Sequence, residues 1–404
     1  MPVKIVDVDI QELKSIEGLD GYEAVEILFR AGREPLGRAR VPCNGNSLDA
    51  ESIRPLIEDL PSPEPLDIPG DSLSTISVAI CTMNRIGELR KALHSLARQE
   101  RPADEILVID NGCQDEVREL VTQILPNARY LQEPRAGLDF ARNRALSAAT
   151  GDIIAFLDDD AVADSFWVQS LAECFAEFPG AGAVTGLILP LEIETDAQEL
   201  FEANSGYARG FSRRVLPRDR ARRFGLRLPL VAESISVGSG CNMAFRTEVL
   251  KKLDGFDEAL DTGAPLPGGG DLDMFYRVMR EGYEHIYEPR ALVRHCHRHS
   301  QAEVQAQLAG HYRSLTAFLM KSLGVARGRE WFWVIIFLIW RLSKVGFRIF
   351  RRLIGRDVLP IGLLTSMFKS GLVGIGSYHA SRKRIQDQTI YSGDDSKELK
   401  RQIF

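Results

Sequence analysis

Ile153-Ile-Ala-Phe-Leu157 runs straight into Asp158-Asp159-Asp160. Five consecutive apolar residues without polar alternation describe a strand buried on both faces, the habit of parallel sheets. Upstream of it, short apolar runs alternate with helical patterns. The pairs are 76–81 then 88–98, 105–109 then 116–124, and 130–131 then 138–148, before the strand at 152–157 itself. This repetition predicts an α/β fold, a mostly parallel sheet with helices on both faces. Ligands of such sheets bind beyond the carboxyl ends of the strands. The residues at those ends are Thr82-Met-Asn84-Arg85, Asp110-Asn-Gly112 and Asp158-Asp-Asp160. All three exits are polar, and two carry carboxylates.

On an extended backbone Asp158 and Asp160 project to one side and Asp159 to the other. Two carboxylates on one side repel unless something positive lies between them. A hard divalent cation such as Mg²⁺ or Mn²⁺, itself bound to phosphates, meets that need. A solvated strand-end turn is the alternative, since aspartate is a common turn residue. No glycine-rich phosphate loop competes: Gly-x-x-x-x-Gly-Lys-Ser/Thr is absent, and no Gly-x-Gly-x-x-Gly follows the first strand. Gly268-Gly-Gly270 precedes Asp271 and reads as a mobile loop feeding a helix.

The flanks differ from this centre. Residues 1–68 read as a small β-rich domain, with strands at 25–29 and 39–42 around an Arg-Glu-Pro-Leu-Gly turn, and the Pro-rich stretch 61–69 reads as a linker. Residues 74–300 form the central domain and 301–404 a helical, basic C-terminal region. The 404 residues are 45% apolar and 26% charged, an ordinary globular composition. The formal charge of −6 argues against a nucleic-acid partner. Residues 301–404 hold 17 Lys/Arg against 7 Asp/Glu, a local +10, so the first 300 residues carry −16. An acidic body with a basic tail points to an anionic surface. The six cysteines include no Cys-x-x-Cys pair, which fits a reducing compartment, and the first dozen residues lack a signal-peptide core.

Six motifs in order between residues 76 and 300 resemble family-2 glycosyltransferases of the GT-A fold, which are inverting enzymes. They are Val78-Ala-Ile-Cys-Thr82-Met-Asn-Arg85, Val108-Ile-Asp110-Asn-Gly112, Gly137-Leu-Asp-Phe-Ala-Arg142-Asn143 and Asp158-Asp-Asp160. Gly255-Phe-Asp257-Glu258 with Gly270-Asp271-Leu-Asp273 and Arg277 follows, and Val293-Arg-His295-Cys-His297 closes the set. The resemblance implies transfer of a sugar from a nucleotide-diphosphate sugar, with a uridine or thymidine base (UDP- or dTDP-sugar), to a hydroxyl acceptor. It implies that Thr82, Asn84, Arg85, Asp110, Arg142, Asp158 and Asp159 bind the donor, with Asp110 on its base. It places a divalent cation, Mn²⁺ or Mg²⁺, on Asp160 and His295, with His297 as substitute, and makes Asp271 the catalytic base. The family often has Glu-Asp where this chain has Gly270-Asp271, a departure that bears on the acceptor.

The residues themselves agree with these roles. Asp271 opens the helical stretch 271–280, where the positive helix end favours its charged form by roughly 0.3–1 kcal/mol; an N-cap is the plainer reading. Residues 209–227 hold eight arginines, either a solvated loop or a lid that meets phosphate. Trp331-Phe-Trp-Val-Ile-Ile-Phe-Leu-Ile-Trp340 is too short for a membrane span of about 20 residues. With Arg341, Lys344, Arg348, Arg351 and Arg352 it resembles an interfacial helix edged by tryptophans, and a packing helix or dimer face is the alternative. The expectation is a cytoplasmic enzyme, peripheral on the inner face of the cell membrane, that acts on a saccharide or lipid-linked acceptor in polysaccharide or glycolipid synthesis, with room for a homo-oligomer. A sugar nucleotidyltransferase would need a glycine-rich basic loop where Thr82–Arg85 stand. A non-catalytic scaffold would have no use for Asp271 and the Asp triplet together.

Overall fold

The computed structural model describes residues 2–63, 73–217, 222–223, 226–227, 229–262, 266–328, 330–357 and 359–402. The linker at 61–69 lies mostly outside them, as do parts of the arginine-rich segment. The chain forms two compact units, Met1–Pro134 with Arg144–Gly255 and Phe275–Val304, and Arg135–Asn143 with Phe256–Met274 and Gln305–Phe404.

The first unit begins with a three-stranded sheet. Strand β1 (Val3–Asp9) runs parallel to β2 (Ala24–Ala31), which turns back into β3 (Glu34–Pro42). The turn is shorter than the Arg-Glu-Pro-Leu-Gly reading. It needs only Gly32 and Arg33, because Gly32 takes a positive φ of 57°. Pro35 then sits in the strand where the register shifts, a place that tolerates a residue without an N–H. Arg30 pairs with Asp164 (2.7 Å) and Arg33 with Glu173 (2.8 Å), anchoring this sheet to the larger one.

The larger sheet has nine strands: β4 (Ile76–Thr82), β5 (Glu105–Asp110), β6 (Arg129–Gln132), β7 (Ile153–Asp158), β8 (Ala161–Ala163), β9 (Ala181–Pro190), β10 (Arg214–Leu216), β11 (Asn242–Arg246) and β12 (Glu284–His295). Their order is β8-β12-β9-β11-β7-β4-β5-β6, with β10 also on β12. The four strands evident as apolar runs, β4 to β7, are mutually parallel. Beyond β7 the sheet is mixed: β11 lies antiparallel to both β7 and β9, while β9 and β12 are parallel.

Side chains alternate between the two faces. Ile76, Val78, Ile80, Ile153, Ala155 and Leu157 join one core with helices α1 (Ile86–Leu96), α2 (Asp115–Ile124) and α4 (Trp167–Glu177), α3 being Leu138–Ala148. The helices commit apolar stripes to it, Leu89, Ala92, Leu93 and Leu96 on α1 at helical spacing. Phe156 turns to the other face and meets Phe245 edge-on, and Phe245 stacks on Phe275. Phe275 belongs to α6 (Gly270–Arg280), which follows α5 (Asp196–Ser205) in the chain.

Register brings the strand exits level. Thr82 pairs with Asp110, and Cys81 with Asp158. The far end of β12 reaches the same region, because Ala161 pairs with His295 and the Cys296 N–H donates to the Asp160 carbonyl (2.9 Å).

The second unit is built on helices α7 (Gln301–Val325), α8 (Glu330–Leu353) and α9 (Ile361–Gln402). Lys321 bridges Asp257 (2.6 Å) and Asp273 (2.8 Å), and the Tyr378 hydroxyl donates to Asp257 (2.9 Å). Pro360 stands just before α9, and the glycines within α9 do not break it. A Cβ on Gly374 would lie 2.7 Å from the Thr316 Cβ, so glycine there lets α9 approach α7. No helix of the described residues is long and apolar enough to cross a membrane.

Candidate active site

In the first unit, β7 turns sharply after Asp158, and the next two carboxylates are captured at once. The Thr82 hydroxyl at the end of β4 donates to Asp159 Oδ2 (2.8 Å). Arg85 donates to Asp159 Oδ1 (3.1 Å) and to Asp160 Oδ2 (2.8 Å). The side chains of both aspartates are almost fully buried. Oδ1 of Asp160 has no donor aligned on it, although His295 Nε2 stands 3.2 Å away. Arg298, which the sequence reading passed over, lies 3.7 Å from Asp160 Oδ2.

The electrostatics separate the two carboxyls. Burial and the neighbouring Asp160 push Asp159 up to about 7. Burial pushes Asp160 the same way, but His295, Arg85 and Arg298 outweigh it and hold that carboxyl well below the usual range. His295 is the counterpart: burial disfavours its cation, and Asp160 and Asp158 overcome this and raise it. A buried, unbonded carboxylate oxygen beside an imidazole nitrogen is the hard-oxygen and nitrogen donor set that suits Mn²⁺ or Mg²⁺. The residues present fit such an ion.

The other donor-side residues fall into two groups. Asn84 takes φ 59°, and its Oδ1 would lie 2.7 Å from a Cβ on Gly112, so the two loops touch only because residue 112 is glycine. Asp110 is turned to its own loop. It accepts from the N–H groups of Gly112 (2.9 Å), Cys113 (2.9 Å) and Gln114 (2.7 Å) and from the Tyr130 hydroxyl (2.7 Å). A carboxylate has about four acceptor positions. Here all are taken, so Asp110 shapes the loop that carries Asn111 and Gly112.

Arg142 and Asp271 belong to the second unit. Arg142 is buried, donates to Asp139 Oδ1 (3.1 Å) and stacks on the Phe256 ring. Asp271 lies in the first turn of α6 and caps the N–H of Leu272 (2.8 Å). Two carboxylates missed by the sequence reading share this unit. Asp139 and Asp261 are each about 1% exposed, and the Oδ2 atom of each has no hydrogen-bond partner among the described residues. Burial drives Asp139 well above the usual carboxylate range and Asp261 up to about 6. Asp139 lay within the quoted Gly137–Asn143 motif, three residues before Arg142, and that spacing was its available signal. In the arginine-rich segment, Arg213 pairs with Glu177 and Glu288, and Arg214 with Glu233. Those arginines are engaged within the unit, and residues 218–221 and 224–225 lie outside the described part.

The family model for Glycosyl transferase family 2 matches residues 77–254. Succinoglycan biosynthesis protein ExoM of Rhizobium meliloti is 31% identical over 235 residues, covering 56% of this chain and 68% of its own length. O-antigen chain rhamnosyltransferase RfbN of Salmonella typhimurium is 26% identical over 263 residues, covering 63% and 77%. Glucosyl-dolichyl phosphate glucuronosyltransferase of Haloferax volcanii is 25% identical over 191 residues, covering 45% of this chain and 56% of that protein. A solved mannosyltransferase, PcManGT of Pyrobaculum calidifontis in complex with GDP-Man and Mn²⁺, is 17% identical with a TM-score of 0.45, covering 83% of this chain and 84% of that one. With that family match, and with a relative above 30% identity covered over two thirds of its length, the chain belongs to glycosyl transferase family 2 and is a glycosyltransferase.

Proposed function

We propose that the protein moves a sugar from a nucleotide-diphosphate sugar to a hydroxyl acceptor with inversion, aided by a divalent cation, in the assembly of a polysaccharide or lipid-linked saccharide. The observation that carries this is the buried, unbonded Oδ1 of Asp160 facing His295 Nε2. Asp160 and His295 would hold the ion, which when bound offsets the charge of the departing diphosphate. Thr82 and Arg85 hold Asp159 and Asp160 in place beforehand, so little reorganisation remains for binding. Arg85 is also a fork-shaped donor at the strand exits, suited to phosphate oxygens. Asp158, Asp159 and Asn84 complete the donor contacts. Asp110 acts through the loop it braces, and Arg142 through the segment it pins. Asp271, in the first turn of α6, takes the proton of the attacking hydroxyl. Two of the relatives named above carry succinoglycan biosynthesis and O-antigen chain in their names, which supports a polysaccharide product.

Calorimetric titration with UDP, dTDP and GDP, with and without Mn²⁺, tests this reading. One diphosphate should bind at least tenfold more tightly with the ion, and Asp160→Ala should erase that difference. Nucleotide binding that is indifferent to Mn²⁺ in the unaltered protein would sink the metal assignment.

For localisation we propose the cytoplasmic face of a membrane, reached through α8. Phe332, Ile336, Ile339, Phe347, Phe350 and Ile354 recur at helical spacing along and just past this helix, and all are exposed. An exposed apolar stripe of this length marks an interaction surface. The cations do not share that stripe. Arg341 stacks on Tyr312, Arg348 forms a two-pronged pair with Asp357, and Arg351 and Arg352 donate to the carbonyls of Arg356 and Asp357. Membrane contact is therefore assigned to the apolar stripe. The catalytic segment is proposed as 74–300, with residues 1–68 as a supporting β-domain and 301–404 as the docking region.

A further inference from the structure

A line of hydrogen bonds leads from the N-terminal sheet to the metal-binding pair, and its polarity can be read atom by atom. On β3, Arg38 donates to Glu202 Oε2 on α5 (3.3 Å) and to Glu26 (3.1 Å). Glu202 Oε1 lies 2.8 Å from His297 Nε2. His297 Nδ1 lies 3.1 Å from His295 Nδ1, and His295 Nε2 faces Asp160 Oδ1. The two imidazoles are buried, and His297 packs against Phe201.

A carboxylate only accepts, so His297 must carry its proton on Nε2. Its Nδ1 is then an acceptor, and the facing His295 Nδ1 must donate. In the neutral ring, the form that binds a metal, that leaves His295 Nε2 with the lone pair, aimed at the unbonded Asp160 oxygen. We infer that Glu202 is a positioning residue: acting through His297, it fixes His295 in the tautomer that can bind a cation, and Arg38, which can only donate, would fix which way an amide at residue 202 points. The inference rests on the metal reading given above. Such outer partners commonly set the tautomer and orientation of a ligating histidine.

Glu202→Gln is the decisive substitution, because it keeps shape and reverses polarity. Arg38 can only donate, so the new amide turns its oxygen to Arg38 and its NH₂ to His297. His297 Nε2 must then accept, the proton moves to His297 Nδ1, and His295 is left protonated on Nε2. With Arg38 replaced as well, the amide is free to turn its oxygen back to His297.

The experiment uses the full chain and Mn²⁺ alone, with free Mn²⁺ read by electron paramagnetic resonance. Imidazole tautomers are read from nitrogen–proton correlation spectra of the metal-free protein at about pH 8.5. E202Q should bind Mn²⁺ about 10- to 100-fold more weakly and show His297 protonated on Nδ1. R38M should bind within about threefold of the unaltered protein, and R38M/E202Q should recover most of the loss of E202Q. A structural role alone would make the double variant no better than the single. Unchanged Mn²⁺ affinity in E202Q, or a double variant as weak as E202Q, overturns the inference. So does His297 protonated on Nδ1 in the unaltered protein, a result that needs no variant to fold. Failure of the unaltered protein to bind Mn²⁺ at all would overturn the metal reading instead.

Discussion

Oδ2 of Asp139 lies 1.9 Å from where a Cβ on residue 270 would be. Any side chain at residue 270, including the Glu that the family resemblance leads one to expect, would force Asp139 to move. The carboxylate of Asp139 occupies that ground instead. Gly270 is thus matched to a buried acid from α3.

This gives a test of sign. Glycine is the poorer helix residue, so alanine at an unhindered first-turn position would stabilise by up to about 1 kcal/mol. Gly270→Ala should instead destabilise the protein by about 1–3 kcal/mol, the usual cost of overpacking. Asp139→Gly strands the buried Arg142 and is itself costly, but it should cost less on top of Gly270→Ala than in the unaltered protein. Urea unfolding of the unaltered protein, the two single variants and the double variant measures this, and a more stable Gly270→Ala would remove Asp139 from the place assigned to it.

Asp271→Asn keeps size and the capping contact to Leu272 but cannot take a proton. Turnover should fall by about 10²–10⁴, the range of a general base. Nucleotide binding and the melting temperature should stay near those of the unaltered protein. Turnover within a few-fold of normal would leave Asp271 as a cap alone.

Much of this arrangement was legible in the sequence. Strands β4 to β7 declared themselves because both their faces are buried, and the apolar run at 153–157 put Asp158-Asp-Asp160 at a strand exit. That Asp160 and His295, or His297 in its place, would lie together was implied by the family resemblance. What escaped was set by contacts distant in sequence. Nothing local shows that Asp110 would spend its acceptors on its own loop, since that depends on Tyr130 of the neighbouring strand. Gly270 reads as loop flexibility until Asp139 is seen beside it. The cations of α8 look available for lipid in a helical projection, but Asp357 and the carbonyl groups just past the helix take up three of them.

Asp159 sets a pH dependence for the metal-free protein. Its carboxyl is held up to about 7, against 3.8 for the free group. The folded state therefore keeps a proton that the unfolded state has lost, and stability falls as pH rises between those values. The contribution is fully present below about pH 4 and gone above about pH 7. Asp159→Asn cannot titrate, so its stability relative to the unaltered protein should rise steadily from pH 4.5 to pH 7.5. Urea unfolding in chelator at several pH values reads the difference. A difference that is flat, or that slopes the other way, would show that Asp159 is ionised throughout.

The last prediction concerns α8, where two forces can be told apart. Docking through Phe332, Ile339 and Phe350 would be driven by apolar burial, worth roughly 1.5–3 kcal/mol for each fully buried side chain. Docking through cations would be worth about 1 kcal/mol for each and would be screened by salt. Because Arg348 is tied to Asp357 and Arg351 to the carbonyl of Arg356, reversing those charges would damage the end of the helix as well as any lipid contact. The exposed apolar side chains are the cleaner target. Phe332→Ser, Ile339→Ser and Phe350→Ser together should cut sedimentation with phospholipid vesicles by about 1,000-fold or more in partition coefficient, at both low and high salt. The melting temperature should be preserved, since these side chains already face outward. Vesicle binding that disappears in high salt, and that survives the triple substitution, would assign the contact to charge and leave the stripe to a protein partner.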